Sequence, residues 1–216
     1  MTAGNSGLRK KPADRLRQIL FNARRRFAEN GFDGASLGQI AADTGIRKAS
    51  LYYHFSTKDA LYAAVLDEIV FNLRDRLREA MEGQDGYVAA LDSLGAHIVD
   101  YLGRNREAAN LLVREMIGPG TYLRGAGREA IEGTLDETAG FLRKGMDAGV
   151  FRRQDERHLA LTIIGLHLYY FAASAPSRYL LGGSIFTRAR IGERCEALTQ
   201  HVRLLCLAPE SNLTPG

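Results

Sequence analysis

Apolar side chains in this chain return every third or fourth residue and almost nowhere every second. The series Leu16, Ile19, Leu20, Ala23 and Phe27 draws one stripe along a helix, with Arg17, Arg24 and Arg25 off it. No alternating run of β-branched residues exceeds a few positions, so the expected fold class is all-α. Helix stops and starts divide the chain into about nine helices. Asp14 is placed to cap the first, which runs to Asn30-Gly31. Ser36, with Gln39 three residues on, has the reciprocal capping-box arrangement for a short second helix that stops at Gly45. A third is expected over 46–55, and Ser56 caps a long fourth over 57–81, broken by Glu82-Gly83-Gln84-Asp85-Gly86. Later helices are expected over 87–103, 107–117, 124–148, 156–175 and 188–207. The breakers between them are Arg104-Asn105-Arg106, Gly118-Pro119-Gly120, Gly149, and Pro176 with Gly182-Gly183.

The two short helices joined at Gly45 have the pattern of a helix-turn-helix, within a three-helix domain expected over 12–60. A larger helical bundle is expected over 61–208. The glycine permits the tight turn, and Leu37, Ile40, Ala41, Ile46, Leu51 and Phe55 can close a small core beneath it. Leu51 and Phe55 are four apart and share one face of the third helix, whereas Ala49 and Tyr53 lie roughly opposite. One aromatic is therefore buried and another displayed. The stretch IRKASLYYHFSTKDALY holds five aromatic rings, His54 included, beside Arg47, Lys48 and Lys58.

Such a face suits a major groove. Ala49 allows close approach and can meet a thymine methyl, Arg47 or Lys48 can reach guanine acceptors, and tyrosine hydroxyls can bond phosphate or base edges. His54 flanks the face and can donate to a phosphate. Lys58 stands in the first turn of the fourth helix, where a cation opposes the macrodipole at a cost of ~0.3–1 kcal/mol. A phosphate bound there reverses that balance, because lysine and the free amides attract the same anion. Ser36 and Thr57, at the starts of two helices, can likewise bond the backbone of a nucleic acid.

Charge points the same way. The first sixty residues carry eleven cations against five anions, a net of +6; since the whole chain carries +4, the other 156 residues carry −2. A basic front on a mildly acidic body suits a polyanion, although a solvated charged face and a helix-turn-helix used only for packing remain the plainer alternatives. No apolar run approaches the ~18 residues of a membrane span, the best, over 159–175, being interrupted by His167 and paired tyrosines. The first residues have cations but no apolar stretch after them, unlike a secretory signal, so a cytoplasmic protein with no membrane partner is expected.

No His pair has metal spacing, and neither a Gly-x-Ser-x-Gly turn nor a phosphate loop occurs. The expectation is therefore no enzyme, no metal and no cofactor. Cys195 and Cys206 fall on one expected helix about 16 Å apart along its axis, too far to bridge each other. Reduced core thiols are the ordinary reading, with an intersubunit bridge or a redox sensor left open.

From 23 to 65, ARRRFAENGFDGASLGQIAADTGIRKASLYYHFSTKDALYAAV resembles the N-terminal domain of the TetR family of one-component transcriptional regulators. The phrases FAENGFDGAS, IAADTGI and SLYYHFSTKDAL occur together at the family's spacing. The resemblance implies a symmetric, all-helical homodimer whose N-terminal domains bind a palindromic operator in double-stranded DNA, usually as a repressor released by a small ligand. By position it implies that Ser36 touches backbone phosphate and that Arg47, Lys48 and Ala49 face bases. It places Tyr52, Tyr53 and His54 in an aromatic triplet that shares phosphate and base contacts, and gives Lys58 to a phosphate. Many relatives carry glycine or proline in place of Ala49 and threonine in place of Ser50, so the operator sequence does not carry over. Arg9-Lys10-Lys11 can reach a minor groove or remain a solvated arm.

Two late stripes, Leu159, Ile163, Leu166, Tyr170 and Ala173, and Ile191, Cys195, Leu198, Val202 and Leu205, are broader than a lone bundle needs. In the family these resemble the paired helices of a four-helix dimer seam, although part of each stripe serves packing within the chain. A pocket for a small hydrophobic effector needs apolar walls with a few polar groups. His97 and Tyr101 on the fifth helix, Met116 and Phe141 on the helices between, and His167 and Tyr170 on the eighth are its candidate residues. The expected protein is a homodimeric, ligand-responsive repressor with two recognition helices spaced by about 34–36 Å or a multiple. The ligand would act through the fourth helix by shifting a population. The alternative is a helical small-molecule-binding protein without DNA function.

Overall fold

The computed structural model describes residues 12–82, 84–118, 120–125 and 127–208. Among them the chain forms eleven helices and no strand; Phe151 and Leu207 make an isolated antiparallel bridge. In order these are α1 (Pro12–Gly34), α2 (Leu37–Thr44), α3 (Lys48–His54), α4 (Lys58–Met81), α5 (Tyr87–Arg104) and α6 (Arg106–Ile117), then α7 (Thr121–Arg124), α8 (Arg128–Asp147), α9 (Glu156–Ala172), α10 (Ser174–Leu180) and α11 (Arg188–Cys206). They fall into two compact units that part within α4, between Val65 and Leu66.

In the first unit the stripe of α1 is buried at Ile19, Ala23 and Phe27, as are Ile40 and Ala41 of α2, Leu51 of α3, and Leu61 and Val65 of α4; α1 packs on α2 and α2 on α3, and the Phe27 ring meets Tyr62 of α4. Burying an aliphatic or aromatic side chain of this size stabilises by about 1.5–3 kcal/mol. Polar contacts set the angle of α2 against α1. The Arg26 guanidinium grips Asp43 with two bonds of 2.6 and 3.0 Å, and Asn22 donates to the Thr44 hydroxyl at 3.3 Å. Gly31 (φ 72) interrupts α1 where the sequence ends it, and the residues beyond bring Phe32 against Phe27 and Tyr62.

At the turn, Gly45 adopts φ 68, ψ 33; its N–H bonds Ala42 O and the next N–H, of Ile46, bonds Ala41 O. That closure needs a left-handed residue, which glycine supplies without a Cβ penalty. Three caps differ from expectation. Ser36 stands at the N-cap of α2 but its side chain makes no capping bond, so the capping box does not form. Thr57, not Ser56, caps α4, its hydroxyl accepting the Ala60 N–H at 3.0 Å. Asp14 lies inside the first turn of α1, where a carboxylate favours the helix dipole, rather than at its cap.

The second unit has a core in which Phe141, Phe151, Leu159, Ile163, Val202 and Cys206 pack together. Gly103 of α5 lies so close to Ile191 of α11 that a Cβ there would stand 2.6 Å from its side chain. Arg152 and Gln154 tie down the end of α11 by donating to the carbonyls of Leu204, Leu205 and Leu207, which have no partner within the helix.

The two helices beyond the expected nine are α7 and α10. A four-residue helix between Gly120 and Gly125 has no room for an apolar period, so periodicity does not reveal α7. The expected eighth helix ends early, and the chain bends by 76° from α9 into α10. Pro176, read as a breaker, is the third residue of α10, where its missing amide hydrogen has no helical partner to lose. No single helix among the described residues is long and apolar enough to cross a membrane, though the bent α9–α10 pair passes by length and composition.

Candidate nucleic-acid interface and ligand cavity

The third helix is short, and its one buried side chain, Leu51, pins it to the first unit's core. The rest of it is surface. Arg47 is the N-cap residue, and Arg47, Lys48, Ala49, Tyr52, Tyr53 and His54 are all exposed, Tyr53 at 89% and Tyr52 at 44%. The Lys48 ammonium lies 5.7 Å from the centre of the Tyr52 ring, and His54 meets Tyr53 edge to face at 5.6 Å. A run of donors flanks a small residue, Ala49, along one outward surface, which is the chemistry that base edges and phosphates require.

Ser36 is exposed as well, and its hydroxyl is not held in a cap. Lys58 is half-buried and has a berth of its own, donating to the Asp33 carbonyl at 3.0 Å with its ammonium 4.7 Å over the Phe32 ring. An ammonium carries three donors, so this bond does not exhaust it. The basic segment Arg9-Lys10-Lys11 lies outside the described residues.

The second unit encloses a cavity of about 150 Å³ bounded by α4, α5, α6, α7, α8 and α9. Leu77, Leu94, Leu112, Leu135 and Ile163 are typical of its wall. Met116 and Leu161 line it while remaining 48% and 50% exposed, which places its mouth between the end of α6 and α9. Five wall residues are polar: Glu115, Tyr122, Thr134, Thr138 and His167. Each makes a bond within the unit. One Glu115 carboxylate oxygen accepts the N–H groups of Tyr122 and Leu123 at 2.6 and 3.1 Å, anchoring α7. The Tyr122 hydroxyl donates to Asp67 at 2.6 Å, and burial, this bond and the nearby carboxylates together raise its pKa above the ordinary phenol range. Gly127 fits beneath the Tyr122 ring, which a Cβ would overlap at 2.0 Å.

The hydroxyls of Thr134 and Thr138 donate to the carbonyls four residues back, Ala130 O and Thr134 O, each at 2.8 Å. His167 is buried, with Nδ1 2.8 Å from the Ile163 carbonyl and Nε2 without a partner. Burial lowers its pKa to about 4, against the pull of the Ile163 carbonyl and with a smaller lowering from Arg194, so the ring is neutral at ordinary pH.

The other sequence candidates lie elsewhere. Met116 and His167 are on the cavity wall, but His97, Tyr101, Phe141 and Tyr170 are not. His97 is exposed and bonds the Ser93 carbonyl at 2.7 Å; Tyr101 is buried beneath the Arg76 guanidinium. Phe141 belongs to the core with Tyr87 and Phe151, and also borders a shallow groove with Arg143 and Lys144. Tyr170 packs under Arg194 at 4.5 Å and against Phe171. Spacing along one helix puts His167 and Tyr170 on neighbouring positions but does not say which neighbour covers each. Glu115 and Tyr122 escaped the sequence reading because one sits among ordinary charges and the other on a helix with no period. Thr134 and Thr138, a polar pair at i, i+4 on an apolar face, were visible in principle. Both cysteines are free. Burial raises the Cys195 thiol above its usual pKa and pushes Cys206 up to about 12, the opposite of an activated thiolate.

Comparison with known proteins agrees with this arrangement. Residues 19–65 match the family model for bacterial regulatory proteins of the tetR family, and residues 88–202 match the model for a tetracyclin repressor-like C-terminal domain. The fold is similar to that of the fatty acid degradation regulator FadR from Bacillus halodurans, with a TM-score of 0.71 and 21% identity over 90% of this chain and 99% of that one. It is similar also to FadR from Bacillus subtilis in complex with stearoyl-CoA (TM-score 0.68, 20% identity, 85% and 97% covered). The regulator PfmR from Thermus thermophilus is a third such structure (TM-score 0.68, 20% identity, 85% and 96% covered).

Proposed function

We propose, since this chain belongs to the TetR family of bacterial regulatory proteins, with an N-terminal DNA-binding and a C-terminal ligand-binding domain, that it is a homodimeric repressor of a palindromic operator released by a small hydrophobic effector. The observation that carries this reading is the outward face of α3, with Arg47, Lys48, Ala49, Tyr52, Tyr53 and His54 exposed beside a glycine turn. Arg47 and Lys48 read base edges, Tyr53 and His54 share base and phosphate contacts, and Ser36 and Lys58 hold phosphates at the rim. The apolar cavity in the second unit supports an effector site of the usual kind, apolar walls with a few polar groups. Met116 and His167 are its best-placed candidate residues.

Exposed apolar side chains on the late helices, among them Tyr169 and Leu204, support pairing of two copies through α9 and α11. An effector that binds one of two dimer shapes more tightly releases the operator by shifting the population toward that shape. A gel shift with duplex from the protein's own upstream region tests the reading, repeated over a salt series and with apolar ligands. The expected result is specific, salt-dependent binding that ligand relieves. Ligand binding with no salt-dependent duplex binding at all would replace it with a small-molecule-binding protein that has no DNA function.

A further inference from the structure

Five polar residues belong to the cavity wall, but almost no polar atom reaches its surface. Each turns its polar end into the protein. The Thr134 and Thr138 hydroxyls donate to carbonyls of α8, the Tyr122 hydroxyl donates to Asp67, and Glu115 accepts the amides of α7. His167 gives one ring nitrogen to the Ile163 carbonyl and turns the other toward Gly95, where α5 packs on α9. Among the described residues no lysine or arginine lines the cavity. Its mouth carries the exposed apolar side chains of Met116 and Leu161, and Ile117, next to Met116 in sequence, is exposed as well.

We propose that the cavity takes the aliphatic tail of an amphiphile, enclosing about six carbon atoms that carry no polar group, with the head held outside the mouth. This rests on the cavity being the effector site and names the part of the effector that enters it. A cavity of about 150 Å³ with apolar walls stays dry and holds one benzene ring, hence about six carbons. A hydroxyl carried inside gives up its water for a wall that offers no partner, and a charged head loses still more. Carbons nearer the head lie between Met116 and Leu161, which remain half in solvent, so each further methylene there gains less.

Calorimetric titration of the full chain with butanoate, hexanoate, octanoate and decanoate, and with 8-hydroxyoctanoate and octyltrimethylammonium, tests this. Affinity is expected to rise about fourfold per methylene from butanoate to octanoate and by less from octanoate to decanoate. The far-end hydroxyl of 8-hydroxyoctanoate is expected to weaken binding by about tenfold or more relative to octanoate. Octyltrimethylammonium is expected to bind along with octanoate, because neither head enters. Two substitutions at half-buried wall positions, Thr134→Phe on α8 and Ile164→Phe on α9, fill the cavity and are expected to remove the gain from hexanoate to octanoate; urea unfolding checks that each is folded, and the wild-type series decides on its own if neither is. Affinity that does not change with tail length, equal binding of octanoate and 8-hydroxyoctanoate, binding of only one head charge, no binding of any of the six, or a folded Phe variant that keeps the full gain would each overturn the proposal. The same preparation is assayed for salt-dependent duplex binding. Duplex binding without the dependence on tail length removes the ligand inference alone, whereas loss of duplex binding in every sample removes the regulator reading and leaves the tail to be judged on its own titration.

Discussion

Tyr53 and Tyr122 are the same residue put to opposite uses. Tyr53, in the first unit, is 89% exposed, its ring touching little beyond His54; Tyr122, in the second, is 4% exposed with its hydroxyl fixed on Asp67. The histidines repeat the contrast, since His54 is on the surface and His167 is buried and neutral. One unit holds polar groups outward in solvent, and the other commits its donors inward and leaves an acceptor over. The two units thus differ less in residue type than in where the hydrogens point. Perturbing the inward set changes stability, and perturbing the outward set changes binding.

The largest expected effect lies in the second unit. His167 titrates near 6.5 in the unfolded chain and at about 4 when folded. Above about pH 6.5 the ring is neutral in both states and its full contribution is present. As pH falls from about 6.5 toward 4, the unfolded chain takes up a proton that the folded one refuses, so stability is lost across that window, by roughly 3 kcal/mol at its foot. Urea unfolding at pH 7 and pH 4.5 should show this as a steeper loss in the wild type than in His167→Phe, which keeps a ring but cannot titrate. Parallel losses in the two proteins would mean that the ring is not buried and neutral, and the contrast between the units would weaken.

The same contrast explains what the sequence made legible. The outward face occupies consecutive positions, Arg47 to His54, beside a glycine that announces the turn, so residue type and order reveal it without any knowledge of packing. The cavity is assembled from six helices, and membership of its wall depends on how each helix is rotated against its neighbours. An i, i+4 pattern finds the apolar faces but does not distinguish the side that meets another helix from the side that meets a void. Hence Met116 and His167 fall on the wall while His97, on an amphipathic helix of similar appearance, points to solvent. Bonds between successive elements, such as Glu115 to the α7 amides, leave no trace in the apolar periodicity.

A smaller effect is expected in the first unit, and it should divide stability from binding. Tyr53→Ala removes a side chain that packs against almost nothing, so its unfolding free energy should stay within about 0.5 kcal/mol of the wild type. Operator affinity should fall by about 1–3 kcal/mol, as for the loss of a specific groove contact. Gel shifts and urea melts on one preparation check both halves. A Tyr53→Ala protein that unfolds early yet binds its operator normally would reverse the roles assigned to the two units.

Lys58 gives the smallest effect and the sharpest discrimination, because it belongs to both patterns. Its ammonium has an inward partner in the Asp33 carbonyl and the Phe32 ring, yet two of its three donors remain to be accounted for at the start of a helix that attracts anions. If it also holds a phosphate, Lys58→Ala should weaken operator and random duplex alike and lower the slope of log affinity against log salt by about one unit. If the slope is unchanged while the protein unfolds more easily, the lysine's purpose is to fasten the turn at Phe32 to α4, and the outward set ends at His54. Measuring slope and stability in the same variant separates these outcomes, since only a cation released from a phosphate changes the count of displaced salt ions.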